Sequence, residues 1–265
     1  MGNLTRRDLL KGLGLGSVVL ASGGALAACS PNENETGGAA KTSSQGSSYQ
    51  FAKRKSDIAG MTQTETDVLV IGGGGAGLCA ALSAAEQGAQ VTLCEKTSVL
   101  GGATMLSSDK IPAVGTQQQM DMGENDSVDA CVMDIMRPNN YSVRPDLVRT
   151  VTEQSKDIVE WTEKHGAAWT IDQALYYGQT AHRMHTTADA GKGLTDALVA
   201  SMSANDAITQ MLSCEMQGLV LADDSDDVVG AYGKMGKDEL AILAKNTILA
   251  SSGFANNPDM LAQYC

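Results

Sequence analysis

The stretch "DVLVIGGGGAGLCAALSAAEQGAQVTLCEK", residues 67–96, constrains this chain more than any other. A β-branched run over 66–71 ends at glycine and reads as a buried parallel strand. Residues 75–87 are rich in alanine and leucine and read as a helix, and residues 90–94 read as a second strand closed by Glu95. Gly72, Gly74 and Gly77 stand between strand and helix in the register G-x-G-x-x-G. The first glycine permits the tight turn, the second lets a pyrophosphate approach the backbone, and the third lets helix and strand pack closely. The helix N-terminus then faces the phosphates with N–H groups that lack intrahelical partners. Glu95 follows about twenty residues after the first glycine, where a carboxylate accepts ribose hydroxyls. An acid there argues against a 2′-phosphorylated cofactor. The competing reading, a glycine-rich turn in an ordinary α/β protein, does not explain the strand, helix and acid together. The motif itself serves NAD and FAD alike.

The next segment separates the two. In "EKTSVLGGATMLSSDKIPAVGTQQQ" a second glycine pair, Gly101-Gly102, follows closely on the acid. This resembles the family of FAD-dependent fumarate reductases, urocanate reductases and 3-oxosteroid dehydrogenases. The resemblance implies FAD, with residues 74–77 (Gly74, Gly75, Ala76, Gly77) at the phosphates. It implies Glu95 and Lys96 at the adenosine ribose, and Gly102, Ala103, Thr104 and Ser108 on the pyrophosphate and flavin side. The family carries small residues and a glycine pair where this chain has Ser107, Ser108, Asp109 and Lys110. Those side chains are expected to crowd the flavin, and the Asp109 carboxylate to disfavour an anionic reduced ring, with Lys110 as an offset.

Further along, 127–137 and 145–165 read as helices, the first capped by Asn125 or Asp126, the second carrying Leu147, Val151, Ile158 and Trp161 at helical spacing. Trp161 and Trp169 read as core residues. "TAHRMHTTADAGKGLTDAL" matches the family at Arg183, His185, Gly191 and Gly193, with Asp189 and Ala190 in place of glycines. Arg183 and His185 either tune a flavin directly or position the loop. A helix is expected over 193–204. Apolar runs at 208–215, 219–222, 228–232 and 239–243 read as a β-meander with acidic turns. By the same resemblance Gln217 meets the adenine. "AKNTILASSGF" resembles the strand that returns under the flavin, so Ser252 and Gly253 join the cofactor-binding set. The fold class expected over 65–265 is α/β, a Rossmann-like FAD-binding domain with a parallel sheet and a β-meander. The resemblance covers only the first half of the family's architecture, so a partial domain incomplete at its C-terminus is expected, and no catalytic residue is nominated. A non-catalytic FAD-binding remnant is the alternative to an enzyme.

The chain has 265 residues, with 19 basic against 31 acidic side chains and a net charge of −12. Such a balance repels phosphate backbones, so nucleic acid is not an expected partner. Six cysteines include no C-x-x-C pair and no C-x-x-C-H haem site, and the three histidines show no ligand spacing, so no metal is expected. Electrons would come from a separate donor or acceptor, and a small molecule would be the substrate. Cys79 and Cys94 read as small core residues. At the N-terminus, Arg6-Arg7 precede an apolar stretch that ends Leu26-Ala27-Ala28-Cys29. This resembles a twin-arginine export signal fused to a lipoprotein box. It implies a leader over 1–29, a flexible linker over 30–64, and a cell-envelope location with Cys29 anchored in lipid.

Overall fold

The computed structural model describes residues 51–265. The leader and residues 30–50 of the expected linker lie outside the described residues. Residues 51–64 are not the tether expected of them. They hold strand β1 (Ala52–Arg54), a 3-10 turn (Lys55–Ile58) and the start of β2 (Thr62–Ile71). Ile58 is fully buried, and Arg54 ties this segment to the carbonyls of Ala222 and Ser225 and to Asp226.

After β2 come α1 (Gly75–Glu86), β3 (Val91–Glu95), α2 (Gly102–Met105), β4 (Ile111–Pro112), α3 (Gln117–Met122) and α4 (Val128–Met136). Then follow α5 (Pro145–Glu153), α6 (Ser155–Lys164), β5 (Trp169–Ile171), β6 (Met184–Thr187) and α7 (Ala190–Ser203). The chain continues through β7 (Ile208–Leu212), β8 (Cys214–Leu221), β9 (Val228–Met235), β10 (Asp238–Leu249) and α8 (Pro258–Tyr264).

A seven-stranded sheet runs in the order β1-β8-β9-β10-β2-β3-β7, and a three-stranded sheet in the order β4-β6-β5. Strands β10, β2, β3 and β7 are parallel, and β8, β9 and β10 form the antiparallel meander. The α/β class with a mostly parallel sheet is therefore as expected. Three boundaries differ. Strand β2 starts at Thr62 because its polar end, Thr62 to Glu65, pairs with Leu240 to Leu243. Strand β7 leaves the expected meander and pairs in parallel with β3, the chain turning at Ser213 with φ +54°. Strand β10 runs on to Leu249, so one strand belongs to the meander and then to the parallel sheet.

The largest core cluster joins Val70, Val91 and Leu93 of the sheet to Leu78, Ala81 and Leu82 of α1 and to Leu194, Leu198 and Met202 of α7. Trp169 is buried in it, and Trp161 packs against its edge with its indole N–H donated to Glu86. Cys94 lies in a second cluster with Leu69 and Cys214. A hydrogen bond with Cys214, together with burial, holds its thiol far above the ordinary range. Cys79 is half-buried beside the main cluster.

The helix expected over 145–165 is two helices broken at Gln154. At the break, Thr152 Oγ1 donates back to Val148 O and Ser155 Oγ to Thr152 O. The buried face carries Thr152, Ser155, Val159 and Thr162, whereas Leu147, Val151 and Ile158 are exposed. Helix α4 is capped by Ser127, which accepts from Ala130 N–H, and not by Asn125 or Asp126. Among the described residues, no helix is long and apolar enough to cross a membrane.

A dinucleotide cradle as the candidate functional site

The glycines of this loop sort by what surrounds them. A Cβ on Gly72 would stand 2.5 Å from Ala250 O, and Gly72 adopts φ +109°. A Cβ on Gly77 would stand 1.8 Å from Gly72 O. These two are demanded by backbone packing. A Cβ on Gly73 would meet Leu100 at 2.4 Å, so this glycine too is enclosed. Gly74 differs: a Cβ there meets nothing nearer than Gly101 O at 3.9 Å. Its outer face is open, it caps α1, and the N–H groups of Ala76 and Gly77 lie in the first turn, where the helix offers no carbonyl. That is a surface against which an anion can be seated closely.

The second glycine pair completes the wall. Gly101 N–H donates to Gly73 O at 2.8 Å, Gly74 and Gly101 form an isolated parallel bridge, and Gly102 faces Gly74 Cα. Gly75 N–H donates to Thr104 Oγ1 at 3.2 Å. So Gly102 and Thr104, which the family resemblance put on the pyrophosphate side, lie against the first loop, with Ala103 exposed between them.

Glu95 closes the other side. Its Oε2 accepts Gly73 N–H at 2.8 Å, and its Oε1 accepts Thr97 N–H and Oγ1–H, each at 2.9 Å. Burial pushes this carboxyl upward, but the hydrogen bonds from Gly73 and Thr97 outweigh it and leave it below its ordinary value. It stays ionised at neutral pH. Lys96 is exposed beside it.

The remaining expected residues lie further out. Ala250 N–H donates to Ile71 O, and the chain then passes under Gly72 to Ser252, at φ +70°, and Gly253, both exposed. Gln217 is exposed at the register shift of β8, a strand that begins beside the Thr97 loop through Ser213 N–H to Thr97 O. Ser108 is exposed.

Asp109 and Lys110 do not stand as expected. The Asp109 side chain turns inward, is 5% exposed and accepts from Thr187. Lys110 Nζ reaches Asp172 Oδ2 at 2.6 Å, where it draws the Asp172 carboxyl well below the usual range. Lys110 therefore has its own counter-ion and is not an offset reserved for Asp109.

Arg183 and His185 are buried. Arg183 forks onto Asp126 through Nε and Nη2, at 2.8 and 2.7 Å, and reaches Asp134 through Nη1 at 2.6 Å. Gln119 donates to Asp126 and to His182 O, and Thr180 donates to Asp134. His185 Nδ1 faces Arg183 O at 2.9 Å and Nε2 faces Thr116 Oγ1 at 2.8 Å. Burial lowers its pKa, so it is the neutral imidazole. Of the two roles left open for this pair, the geometry supports positioning. Sequence spacing missed Asp126, Asp134, Gln119 and Thr116, because their partners lie far away in the chain.

Glu86, His165 and Ser201 form a row, with His165 Nε2 to Glu86 at 3.0 Å and Nδ1 to Ser201 Oγ at 2.7 Å. Ser201 sits in the last turn of α7, which presents carbonyls rather than oxyanion donors. This row staples helices and is no hydrolytic site. The nearby groove of about 600 Å³, lined by Cys79, Ala80, Ser83, Ile158 and Trp161 among others, shares no residue with the cradle. Among the described residues, no cluster of His, Cys, Asp and Glu could hold a metal.

Residues 67–265 match the FAD binding domain family. The chain is 34% identical over 217 residues to a fumarate reductase (cytochrome) of Shewanella frigidimarina, covering 80% of this chain and 37% of that protein. It is 31% identical over 205 residues to a urocanate reductase of Eggerthella lenta, covering 76% of this chain and 34% of that one. Among solved structures, the open conformation of a flavocytochrome c3 fumarate reductase superposes with a TM-score of 0.71 at 32% identity, over 78% of this chain and 37% of that one. A 3-ketosteroid-Δ4-(5α)-dehydrogenase from Rhodococcus jostii RHA1 shares the fold, with a TM-score of 0.71 at 24% identity, over 81% of this chain and 51% of that one. The chain thus spans about a third of the length of the curated relatives it matches.

Proposed function

The chain belongs to the FAD binding domain family, its cofactor is FAD, and from that premise we propose that it serves an oxidoreductase of the fumarate reductase type. The reaction would move a hydride to or from a C=C or CH–CH unit of a small-molecule substrate, with electrons exchanged through a separate partner. The observation that carries this reading is the open face of Gly74, set between a wall of Gly101 to Thr104 and the pre-oriented Glu95 carboxylate. FAD, when bound, supplies the hydride chemistry, and the protein supplies placement and electrostatics.

The residues present fit such a group. Gly74, Ala76 and Gly77 would take the pyrophosphate on backbone N–H groups, with Gly75, whose N–H is held by Thr104 Oγ1, lining the same turn. Glu95, with Lys96 beside it, would accept the ribose hydroxyls, and Gln217 would lie toward the adenine. Gly102, Ala103, Thr104 and Ser108 would line the flavin side, with Ser252 and Gly253 beneath it. Among the described residues the three histidines are engaged with Glu124, Glu86, Ser201, Thr116 and the Arg183 carbonyl. The role of these residues is accordingly to hold the cofactor, and none of the histidines is assigned as a proton donor.

The test is to purify the chain and record its visible spectrum. The expected result is a flavin band whose chromophore is released as FAD on denaturation. A folded, colourless protein that takes up no added FAD would overturn the reading, and a bound nicotinamide would overturn the choice of cofactor. Flavin without turnover of any C=C acceptor would favour a binding role alone. We also propose that residues 1–29 direct export and that Cys29 carries the lipid. Radiolabelled palmitate incorporated in the intact chain and lost in Cys29→Ala is the expected outcome.

A further inference from the structure

Two segments meet beside the cradle, and a single buried carboxylate joins them. The first, residues 104–109, touches the phosphate loop through Thr104 Oγ1. The second, residues 187–191, leads into α7. Gly191 N–H donates to Ser107 O at 3.1 Å, and a Cβ on Gly191 would stand 1.8 Å from Thr104 O, so the segments are in full contact. Asp109 lies at φ +50° and Ala190 at φ +50°. Both residues hold a backbone conformation that non-glycine residues resist, so something else fixes the segments in place.

That fixing runs through Thr187. Its N–H donates to Asp109 Oδ2 at 3.2 Å. Its hydroxyl has one proton and two acceptors, Ala190 O at 2.6 Å and Asp109 Oδ2 at 3.0 Å. When the proton goes to the nearer Ala190 carbonyl, the Thr187 oxygen presents a lone pair to the Asp109 carboxyl. A neutral carboxyl donates to that lone pair and every group is satisfied, whereas an ionised carboxylate competes with Ala190 for the one proton.

We propose that Asp109 is a positioning residue for the cofactor: through Thr187 it locks the 187–191 turn onto the 104–109 segment and so fixes the flavin-side wall. The inference rests on the reading that FAD lies against residues 74–77 and 102–108. Burial raises the Asp109 pKa, outweighing the hydrogen bonds from Thr187 and the charge of Lys110 that lower it, and so favours the neutral form. Apart from the charge of Lys110, felt at a distance, the charged groups on the packed segments are paired elsewhere. Lys110 is bound to Asp172 and Lys192 to Asp196. Arg183 is bound to Asp126 and Asp134. His185 is neutral against Thr116, and Asp189 is exposed.

FAD affinity of the 265-residue chain, followed by flavin fluorescence from acid to mildly alkaline pH, tests this. Wild-type affinity should weaken as pH rises through the raised Asp109 pKa. Asp109→Asn, which cannot ionise, should show a flat profile, although its amide can meet only one of Thr187 N–H and Thr187 Oγ1 at the Oδ2 position. Asp109→Ala and Thr187→Val should each lose about tenfold in affinity at acid pH, the loss of roughly one hydrogen bond. Far-UV circular dichroism identifies any variant that fails to fold, and Thr187→Val with Asp109→Asn then carry the test. Wild-type affinity in both Asp109→Ala and Thr187→Val, or a wild-type pH profile in Asp109→Asn, would overturn the proposal alone. A wild-type chain that binds no FAD, or a Gly74→Val variant that binds it as well as wild type, would instead overturn the cradle reading on which it rests.

Discussion

Two layers of this molecule do similar structural work by opposite means. The cradle is made of backbone: Gly72, Gly74, Gly77, Gly101 and Gly102 bring chain against chain with almost no side chain between. A second layer, at the entrance to β6 and around α4, is made of charge: Arg183, 1% exposed, with Asp126 and Asp134. A glycine cradle tolerates nothing larger at its packed points but is indifferent to pH. A buried ionic layer depends on close geometry and on every charge having its partner.

Arg183→Met separates the two most widely. It keeps the volume of the stem but strands two buried carboxylates, a cost of about 3 to 5 kcal/mol in urea unfolding. The sign of the pH effect gives a second readout. Hydrogen bonds from Arg183 overcome the upward push of burial and leave Asp126 and Asp134 below their ordinary values. In the wild type their stabilisation is therefore present above the unfolded carboxylate pKa and is lost as pH falls through the folded values. In Arg183→Met the same carboxylates should lie above their unfolded values, so that variant should gain stability on acidification. A variant that behaves like wild type across this range would show the layer to be inert.

Within the cradle, Gly77→Ala and Gly74→Ala break the comparison from the other side. The Gly77 methyl would press on Gly72 O and should cost about 1 to 3 kcal/mol of stability as well as FAD binding. The Gly74 methyl enters open space, so stability should stay within about 1 kcal/mol while FAD affinity falls. Equal stability losses in the two would contradict the division into packed and open glycines. The smallest effect is expected at Ala190, whose φ is +50°. Ala190→Gly relieves a left-handed alanine and should raise stability by about 0.5 to 1 kcal/mol, after the greater freedom of glycine in the unfolded chain is subtracted.

The same contrast explains what was legible beforehand. The end of the strand, the glycine turn, the helix and Glu95 are local, with spacing imposed by the turn itself, and they stand within a residue of where the sequence placed them. The pairing of Asp126 with Arg183 and of Asp109 with Thr187 joins residues far apart in the chain, and no local pattern encodes it. Asp126 read as a helix cap because acids near helix starts usually are; Ser127 took that role and freed it for Arg183. Helical spacing also misjudged Leu147, Val151 and Ile158. The face that packs inward carries threonine and serine, whose hydroxyls are satisfied by the helix's own carbonyls and therefore cost little to bury.

Strand β10 carries one more consequence. Gly72 closes its turn against Ala250 and Ser251, residues delivered by the end of β10. On the ribosome, the glycine loop emerges long before the backbone it must rest on. Pairing of such distant segments is slow, because the intervening chain has to be gathered first. The most recognisable motif in this protein is thus among the last to become a finished surface, and a nascent chain paused before β10 would display the glycines without the seat that makes them useful.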